Sequence, residues 1–158
     1  MSLLMKVKLI EPVSRKLIVL GKAYLDVLSS HMEHLDMDKY YYALTVIYHH
    51  DGGLTQNALA GILGKDKSVI VKIIDTLAGK GFVNRQKNPA DRRQHLLVVT
   101  DKAKKAVPLI IAEFERMNRS AAKGISVSEM EIFENVLGKM KMNLSEFRNT
   151  ENRKILSK

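Results

Sequence analysis

The chain has 158 residues, a net charge of +9 and no cysteine. This length fits one domain or two smaller lobes, and the lack of cysteine excludes disulfides, thiolate metal sites and thiol-based redox sensing. No apolar run approaches the ~20 residues of a membrane-spanning helix, and the N-terminus is too short and mixed for a signal peptide. We therefore expect a cytoplasmic protein that does not enter a membrane and whose basic surface attracts a polyanion.

The positive charge is concentrated in the middle of the chain. Residues 55–105 carry 11 Lys or Arg against four Asp or Glu, a net charge of +7. Where charge is placed matters more for binding than its total, so this stretch is the predicted contact with the polyanion. A module that only dimerises would leave this charge unexplained.

The N-terminal part predicts one long helix, from about Leu9 to Leu35. Apolar residues recur there at steps of three and four, which gives one apolar face. Pro12 fits the first helical turn, where a missing N–H costs little. This face packs on the chain's own core, on a second subunit, or on both, and Val13 and Leu17 are the predicted contacts with a second subunit.

A second helix is predicted over about Lys39–His50, opened by Asp36 or Asp38 and ended by two glycines that tolerate positive φ. Its three adjacent tyrosines, Tyr40, Tyr41 and Tyr42, cannot share one face, so at least one belongs to the core and another can line a cleft or the contact with a second subunit.

Two short helices follow, separated by a brief turn that contains Gly64. Thr55 is a suitable N-cap for the first helix, and Leu54 can pack on Leu59 as a hydrophobic staple. The second helix, about Lys67–Gly79, is opened by an N-cap at Asp66 or Ser68. This arrangement is typical of a helix-turn-helix. The predicted buried side of the first helix is Leu59, Ala60, Ile62 and Leu63.

At 100° per residue, the side chains of the second helix fall on distinct faces. One sector holds Ile70, Ile73, Ile74 and Leu77, which we predict to be core. The opposite side holds Ser68, Lys72 and Asp75, with Val69 and Thr76 on one shoulder and Val71 on the other. Hydrogen-bonding groups beside small apolar groups suit base edges and thymine methyls in a major groove. A solvated amphipathic helix is the alternative.

Residues 82–100 predict a β-hairpin, with strands Phe82–Lys87 and Gln94–Thr100. The turn between them carries Arg92 and Arg93 at its tip, and arginine is favoured in a narrow minor groove. Asp91 can aim the Arg93 side chain through a charge-assisted hydrogen bond. We interpret the hairpin as a wing, with a merely solvated tip as the alternative.

Two long helices complete the chain. The first runs from Asp101 to about Ala122, and Pro108 should bend or break it. The second begins at a capping box of Ser126 and Glu129, and the tail after residue 147 is expected to fray. An a/d stripe predicts a long partner helix, in this chain, in a second chain, or in both. The stripe consists of Met130, Phe133, Leu137, Met140, Leu144 and Phe147.

Residues 54–100 are similar to the MarR family of bacterial winged-helix transcriptional regulators, and the chain length and flanking helices match as well. The residues that carry the resemblance are Leu54-Thr55-Gln56, Leu59-Ala60, Asp66-Lys67-Ser68, Leu77, Lys80-Gly81-Phe82-Val83, Asp91-Arg92-Arg93 and Thr100. It implies a mainly α fold with a small β-hairpin wing, in which residues 36–103 form the winged helix-turn-helix lobe and residues 1–35 and 104–158 form a helical dimerisation region.

The resemblance also implies a homodimer that binds a palindrome-like DNA duplex, usually as a repressor, and in many members a small aromatic or phenolic ligand. The candidate residues for such a ligand are His31, Tyr40, Tyr41 and Tyr42. The implied and predicted DNA-binding residues are Thr55, Gln56, Lys65, Lys67, Ser68, Val69, Val71, Lys72, Arg85, Asp91, Arg92 and Arg93.

The chain departs from the family pattern at four of its positions. Val69 and Val71 replace common hydroxyl residues, Lys72 replaces a common arginine, and Ala58 replaces an acidic residue, so no capping box is expected there. Lysine cannot make the planar two-pronged contact to guanine. We therefore expect base recognition to depend more on thymine methyls and DNA shape.

An enzyme is not expected, because the sequence has no Gly-rich phosphate loop, nucleophile elbow or paired-carboxylate motif, and no cofactor or metal is predicted. A metal-responsive regulator is the alternative, since imidazoles bind zinc and His31 and His34 lie about one helical turn apart, with His49 and His50 further on. A module that only dimerises is the third rival, and a DNA-binding protein without sequence preference is a further alternative.

Overall fold

The computed structural model describes residues 12–37 and 40–156, with side chains up to residue 151. The predicted helix start at Leu9, and the predicted N-cap Asp38 and helix start Lys39, lie outside these described residues. The chain divides into two compact units, one that ends at Met117 and one that begins at Asn118.

The first helix, α1, spans Val13–His31 and begins directly after Pro12, whose extended conformation makes it the N-cap rather than a member of the first turn. A 3-10 helix, Glu33–Leu35, follows, so the predicted single helix to Leu35 is wrong at its end. Met32 is buried at this break, and Asp36 then reverses the chain in the left-handed region at φ 48°, which Asp tolerates better than most residues. The free energy gained by burying apolar side chains on both sides of the break exceeds the free energy that a continued helix would contribute.

The helix-turn-helix consists of α3 (Gln56–Leu63) and α4 (Lys67–Gly79), preceded by α2 (Tyr41–His49). Thr55 caps α3, as predicted, by accepting a hydrogen bond from the backbone N–H of Ala58 at 3.2 Å. Gly64 ends α3 at φ 59°, a left-handed conformation that costs glycine little. Asp66 occupies the N-cap position of α4 but its side chain makes no capping hydrogen bond.

One buried residue of α3 was predicted wrongly. Leu59 is fully buried, and Ala60 and Leu63 are half-buried, but Ile62 is 46% exposed. On a helix of only eight residues the core reaches a single narrow stripe, and Ile62 lies about 100° around the axis from Leu63. An apolar side chain therefore remains on the outer surface of α3.

A three-stranded antiparallel sheet has the order β1-β3-β2. Strands β2 (Val83–Lys87) and β3 (His95–Val99) form the predicted hairpin. Strand β1, Leu54–Thr55, was not predicted, because two residues carry no periodicity; it forms only by pairing with β3, where Leu54 lies opposite Leu97. This pairing attaches the start of α3 to the hairpin.

The core of the first unit lies between α2, α4, the sheet and the first half of helix α5 (Asp101–Ala121). Pro108 lies inside α5 without ending it, so of the predicted bend or break the break is absent, and the bend stays a prediction. A helix-interior proline costs about 3 kcal/mol, and burial on both sides of it maintains the helix. The fully buried side chains include Tyr41, Leu44, Ile47, Ile70, Ile74, Leu77, Phe82, Leu97 and Ile110, and Ala106 and Val107 are buried directly before the proline.

The second unit contains the end of α5 and helix α6 (Val127–Leu156). The predicted capping box is confirmed: Glu129 Oε2 accepts from the Ser126 backbone N–H at 2.8 Å, and Ser126 Oγ accepts from the Glu129 N–H at 3.2 Å. Hydrogen bonds from Ser126 lower the pKa of Glu129. The tail was predicted to fray from residue 148, but the helix continues to Leu156, so the prediction is wrong for residues 148–156.

Candidate nucleic-acid interface

Helix α4 has the predicted division between a buried and an outer face. Ile70, Ile73, Ile74 and Leu77 are all at most 2% exposed. The outer face carries Ser68, Lys72 and Asp75, together with the partly exposed Val69 and Val71. The burial prediction is confirmed, and the role of the outer face in base contact stays a prediction.

The N-terminal ends of the two motif helices supply further polar and cationic groups. Lys65 and Lys67 lie on either side of the α4 N-cap and are exposed, while Thr55 and Gln56 begin α3 and are half-buried. Helix N-termini present unpaired backbone N–H groups. These four predicted site residues therefore surround the beginnings of both helices.

The tip of the hairpin is shaped by Asp91, but not in the predicted way. Asp91 Oδ1 accepts from the backbone N–H of Arg93 at 3.0 Å, and Oδ2 accepts from Gln94 Nε2 at 2.9 Å. The predicted bond from Asp91 to the Arg93 side chain is absent among the described residues. Asp91 thus holds the backbone of the turn. The conformation of the turn, and not an ion pair with Asp91, therefore sets the direction of the Arg92 and Arg93 side chains.

Arg85 was predicted to contact DNA, and the structure gives it a partner on α4. Its Nη2 lies 2.5 Å from Asp75 Oδ1, with the Arg85 side chain 32% and the Asp75 side chain 57% exposed. Arg85 lies on β2 opposite Leu97 of β3. The pair therefore links the hairpin to the helix beside it. Periodicity could place Asp75 on the outer face of α4, but not its partner, because the two residues belong to different elements.

An open cavity of about 210 Å³ lies between the start of α3 and the hairpin. Four of its residues, Asn57, Gln94, His95 and Leu97, were missed as site residues by sequence reasoning, because none belongs to a DNA-binding motif or a charge cluster. The lining residues are Thr55, Gln56, Asn57, Arg85, Arg93, Gln94, His95 and Leu97. The structure thereby gathers four of the predicted site residues, from three elements, around one space.

The C-terminal end of α4 is anchored by two lysines. Lys80, its C-cap, lies with Nζ 2.7 Å from Asp36 Oδ1. Lys102 Nζ donates to the Lys80 carbonyl at 2.8 Å and lies 4.3 Å from the centre of the Phe82 ring. The hydrogen bond and charge of Lys80 lower the pKa of Asp36. Helix α4 is thus connected to the segment before α2 and to the start of α5.

The predicted ligand-binding residues are not gathered in one place. A cavity of about 460 Å³ is lined by Tyr41, but Tyr42 is 61% exposed and Tyr40 packs against the edge of the core. The remaining candidate, His31, contacts α5. The other lining residues of this cavity are Ser29, Ser30, Glu33, Asp36 and Met37. A ligand-binding role for the four residues stays a prediction.

His31 ends α1 beside a charged pair on α5. Its Nδ1 lies 2.6 Å from Glu113 Oε1, and Arg116 Nη2 donates to the same oxygen at 2.6 Å. Hydrogen bonds from Arg116 and His31 lower the pKa of Glu113 to about 2, against the opposing effect of its burial. His34 lies in the 3-10 helix, so the two histidines do not share a helix face as predicted. Among the described residues no group of three or more His, Asp or Glu is placed to hold a metal ion.

The predicted dimerisation residues are exposed or half-buried. Val13 and Leu17 are exposed on α1, and Phe133, Leu144 and Phe147 are exposed on α6, the last two at 67%. Met130, Leu137 and Met140 are half-buried. Sequence reasoning missed a second set of exposed apolar residues on these helices, which lie outside the predicted stripes: Ile18, Val19, Ile132, Val136 and Met142. In the part of the chain described here no helix is long and apolar enough to cross a bilayer.

Comparison with known proteins gives one consistent result. The model of the MarR family matches residues 41–95, from the start of α2 to the start of β3. The uncharacterized HTH-type transcriptional regulator YdgJ of Bacillus subtilis is 28% identical over 102 residues, which are 65% of this chain and 62% of that protein. The match thus spans less than two thirds of that relative.

Solved structures match more of the chain. The MarR protein from Peptoclostridium difficile superposes with a TM-score of 0.81 at 24% identity, over 92% of this chain and 95% of that one. A MarR family transcriptional regulator from Listeria monocytogenes, complexed with 26mer DNA, has a TM-score of 0.78 at 26% identity, over 87% of this chain and 91% of that one. The chain therefore shares its fold, the winged helix and its flanking helices, with these proteins over nearly its whole length.

Proposed function

The chain belongs to the MarR family, and from that premise we propose that it is a transcriptional regulator that binds DNA as a homodimer, represses at a palindrome-like operator and is released by a small ligand. The observation that carries the proposal is the outer face of α4, which lies beside a hairpin with two exposed arginines. A helix of this size fits a major groove, and a hairpin tip reaches the adjacent minor groove.

Electrostatics favours DNA over other polyanions at this surface. Arg92 and Arg93 lie at the end of a projecting turn, and the guanidinium of Arg93 makes no hydrogen bond or ion pair with any described residue. Such a group is available to phosphates or to the negative potential of a narrow minor groove. The related Listeria protein was solved with 26mer DNA, which supports the same use of this fold here.

Base recognition in this proposal is unusually apolar. Val69 and Val71 are 43% and 38% exposed on α4, where they are free to contact thymine methyls. Ser68 and Lys72 supply hydrogen bonds on the same face. The lysine binds as a point charge rather than as a planar fork. We expect the operator half-site to contain thymines at the positions under the two valines.

The proposed dimer uses residues 1–35 and 104–158, and the winged lobe is residues 36–103. Large apolar side chains remain exposed on α1 of the first unit and on α6 of the second. Contiguous exposed apolar surface marks interaction sites in soluble proteins. A two-fold dimer would present two α4 helices about one turn of DNA, 34–36 Å, apart and thus select a palindrome.

Ligand release is the remaining part of the proposal, with a small aromatic or phenolic molecule as the expected ligand. The cavity beside Tyr41 includes Asp36, which is bonded to Lys80 at the end of α4. A ligand that moves Asp36 would therefore act on α4 directly. Any such effect requires different affinities for the DNA-bound and free forms.

The experiment that tests this function is selection of bound duplexes from a random-sequence pool. We expect enrichment of a palindrome-like sequence by the wild-type chain. The matched control is the double variant Arg92→Ala/Arg93→Ala, which should retain the same motif at lower yield. Uniform recovery of all sequences would instead support a DNA-binding protein without sequence preference, and no recovery at low salt would contradict DNA binding altogether.

A further inference from the structure

Asp75 is an acidic residue on the face of α4 that is proposed to meet DNA. A carboxylate near phosphates lowers affinity through repulsion, so its presence there needs a reason. Asp75 Oδ1 lies 2.5 Å from Arg85 Nη2, and Arg85 is the less exposed partner. Asp75 on α4 thus restricts the Arg85 side chain to one orientation.

Arg85 also lines the cavity between α3 and the hairpin, together with Arg93 and His95. A guanidinium has five N–H donors in a fixed plane, and only one nitrogen of Arg85, Nη2, contacts Asp75. Two arginines, Arg85 and Arg93, therefore line one space of about 210 Å³ that opens to solvent.

We propose that this cavity binds one phosphodiester of the DNA backbone through Arg85 and Arg93, and that Asp75 is the positioning residue that holds Arg85 for it. The inference rests on the proposed DNA-binding function and adds a phosphate site and a role for an acidic residue. An arginine that is already oriented loses less rotamer freedom on binding than a free one. The charge of Asp75 is offset by the guanidinium that lies between it and the phosphate.

Two effects of opposite sign make the proposal testable. Removing a negative charge from a DNA-binding surface should raise affinity, whereas removing a positioning residue should lower it. For Asp75→Asn we expect roughly fivefold weaker binding of the enriched duplex, a coupling typical of residues in contact. The slope of log affinity against log salt should decrease by about 0.9, the value for one phosphate contact. Arg85→Gln should produce the same change in slope.

The double variant Asp75→Asn/Arg85→Gln separates positioning from other effects. Without Arg85 there is nothing for Asp75 to position, so Asp75→Asn should cause no further loss and should slightly improve binding. Asp101→Asn is the charge-matched control: its carboxylate is 93% exposed and lies 3.8 Å from Lys104 on α5. It should leave affinity and salt slope unchanged or raise affinity.

Phosphate ethylation gives a readout that a merely structural role would not alter. One ethylated phosphate per half-site should interfere with wild-type binding and should cease to interfere in both Asp75→Asn and Arg85→Gln. Tighter binding by Asp75→Asn, additive losses in the double variant, or an unchanged ethylation pattern would each overturn the inference while the proposed function stands. If the wild-type chain binds no duplex, the proposed function and this inference are both overturned.

Discussion

His31, the last residue of α1, and Glu113, in the middle of α5, are joined by a contact of 2.6 Å between Nδ1 and Oε1. Arg116 completes the cluster by donating to both carboxylate oxygens, at 2.6 and 2.9 Å. Residues 82 positions apart in sequence are thereby connected. The end of α1 is attached to α5 through a carboxylate that stays ionised over most of the pH range.

Glu113→Gln should lower the free energy of unfolding by about 1 kcal/mol near pH 7, because Arg116 is more than half exposed and solvent screens the pair. The pKa of Glu113 falls from 4.5 to about 2 on folding. The stabilisation is therefore fully present above about pH 4.5 and is lost as pH falls through about 2. Urea unfolding of both proteins at neutral and acidic pH should show their difference shrinking within this window. Glu131→Gln on α6 is the control; an equal, pH-independent difference would contradict the cluster's role.

Ile74→Ala should lower the free energy of unfolding by about 3 kcal/mol, since this fully buried side chain of α4 would leave a cavity. Ile62→Ala removes the same atoms from the exposed side of α3 and should cost less than about 1 kcal/mol. Denaturant unfolding of the pair measures both effects. Similar losses would mean that Ile62 is covered in solution, as by a partner on the outer face of α3.

Arg93→Ala should weaken binding to all duplexes and reduce the salt slope by about 0.9, because the hairpin arginine neutralises a phosphate or occupies a minor groove. Fluorescence titration against enriched and random duplexes at several salt concentrations checks this. Arg148→Ala removes the same charge from α6 and should leave the slope unchanged. Unchanged affinity and slope for Arg93→Ala would exclude the wing from DNA binding.

Pro108→Ala should raise the free energy of unfolding by about 2 kcal/mol. Alanine is favoured over proline by about 3 kcal/mol inside a helix, and the greater freedom of the unfolded chain returns about 1 kcal/mol of that. The position is exposed within α5, so the substitution creates no cavity. Thermal unfolding measures the change. A loss of stability would show that the proline is needed for the shape of α5.

Leu144→Glu should shift the chain from dimer to monomer at micromolar concentration, because it places a charge on the exposed apolar stripe of α6. Ser145→Glu adds the same charge about 100° around the helix and should leave the dimer largely intact. Sedimentation velocity distinguishes the two outcomes. A wild-type chain that sediments only as a monomer would contradict the proposed assembly.

Local pattern was sufficient for most of the helix-turn-helix and the wing. The burial of Ile70, Ile73, Ile74 and Leu77 follows from a 3.6-residue repeat, and the cap by Thr55 and the capping box at Ser126 depend only on neighbouring residues. Ends and irregular points were predicted less well. The break after His31 and the intact helix at Pro108 depend on which side chains the core can bury, and burial is a property of the packed elements together.

The amino-acid sequence alone was therefore enough to predict a basic winged helix and to assign the inner and outer faces of α4, because charge, turn residues and hydrophobic period act over a few neighbouring positions. Folding decided which polar groups meet across elements: Asp75 with Arg85, Asp36 with Lys80, and His31 with Glu113. It also decided that Asp91 bonds to backbone instead of a guanidinium. Such pairs depend on distances between elements remote in sequence, and no periodicity within a single element encodes those distances.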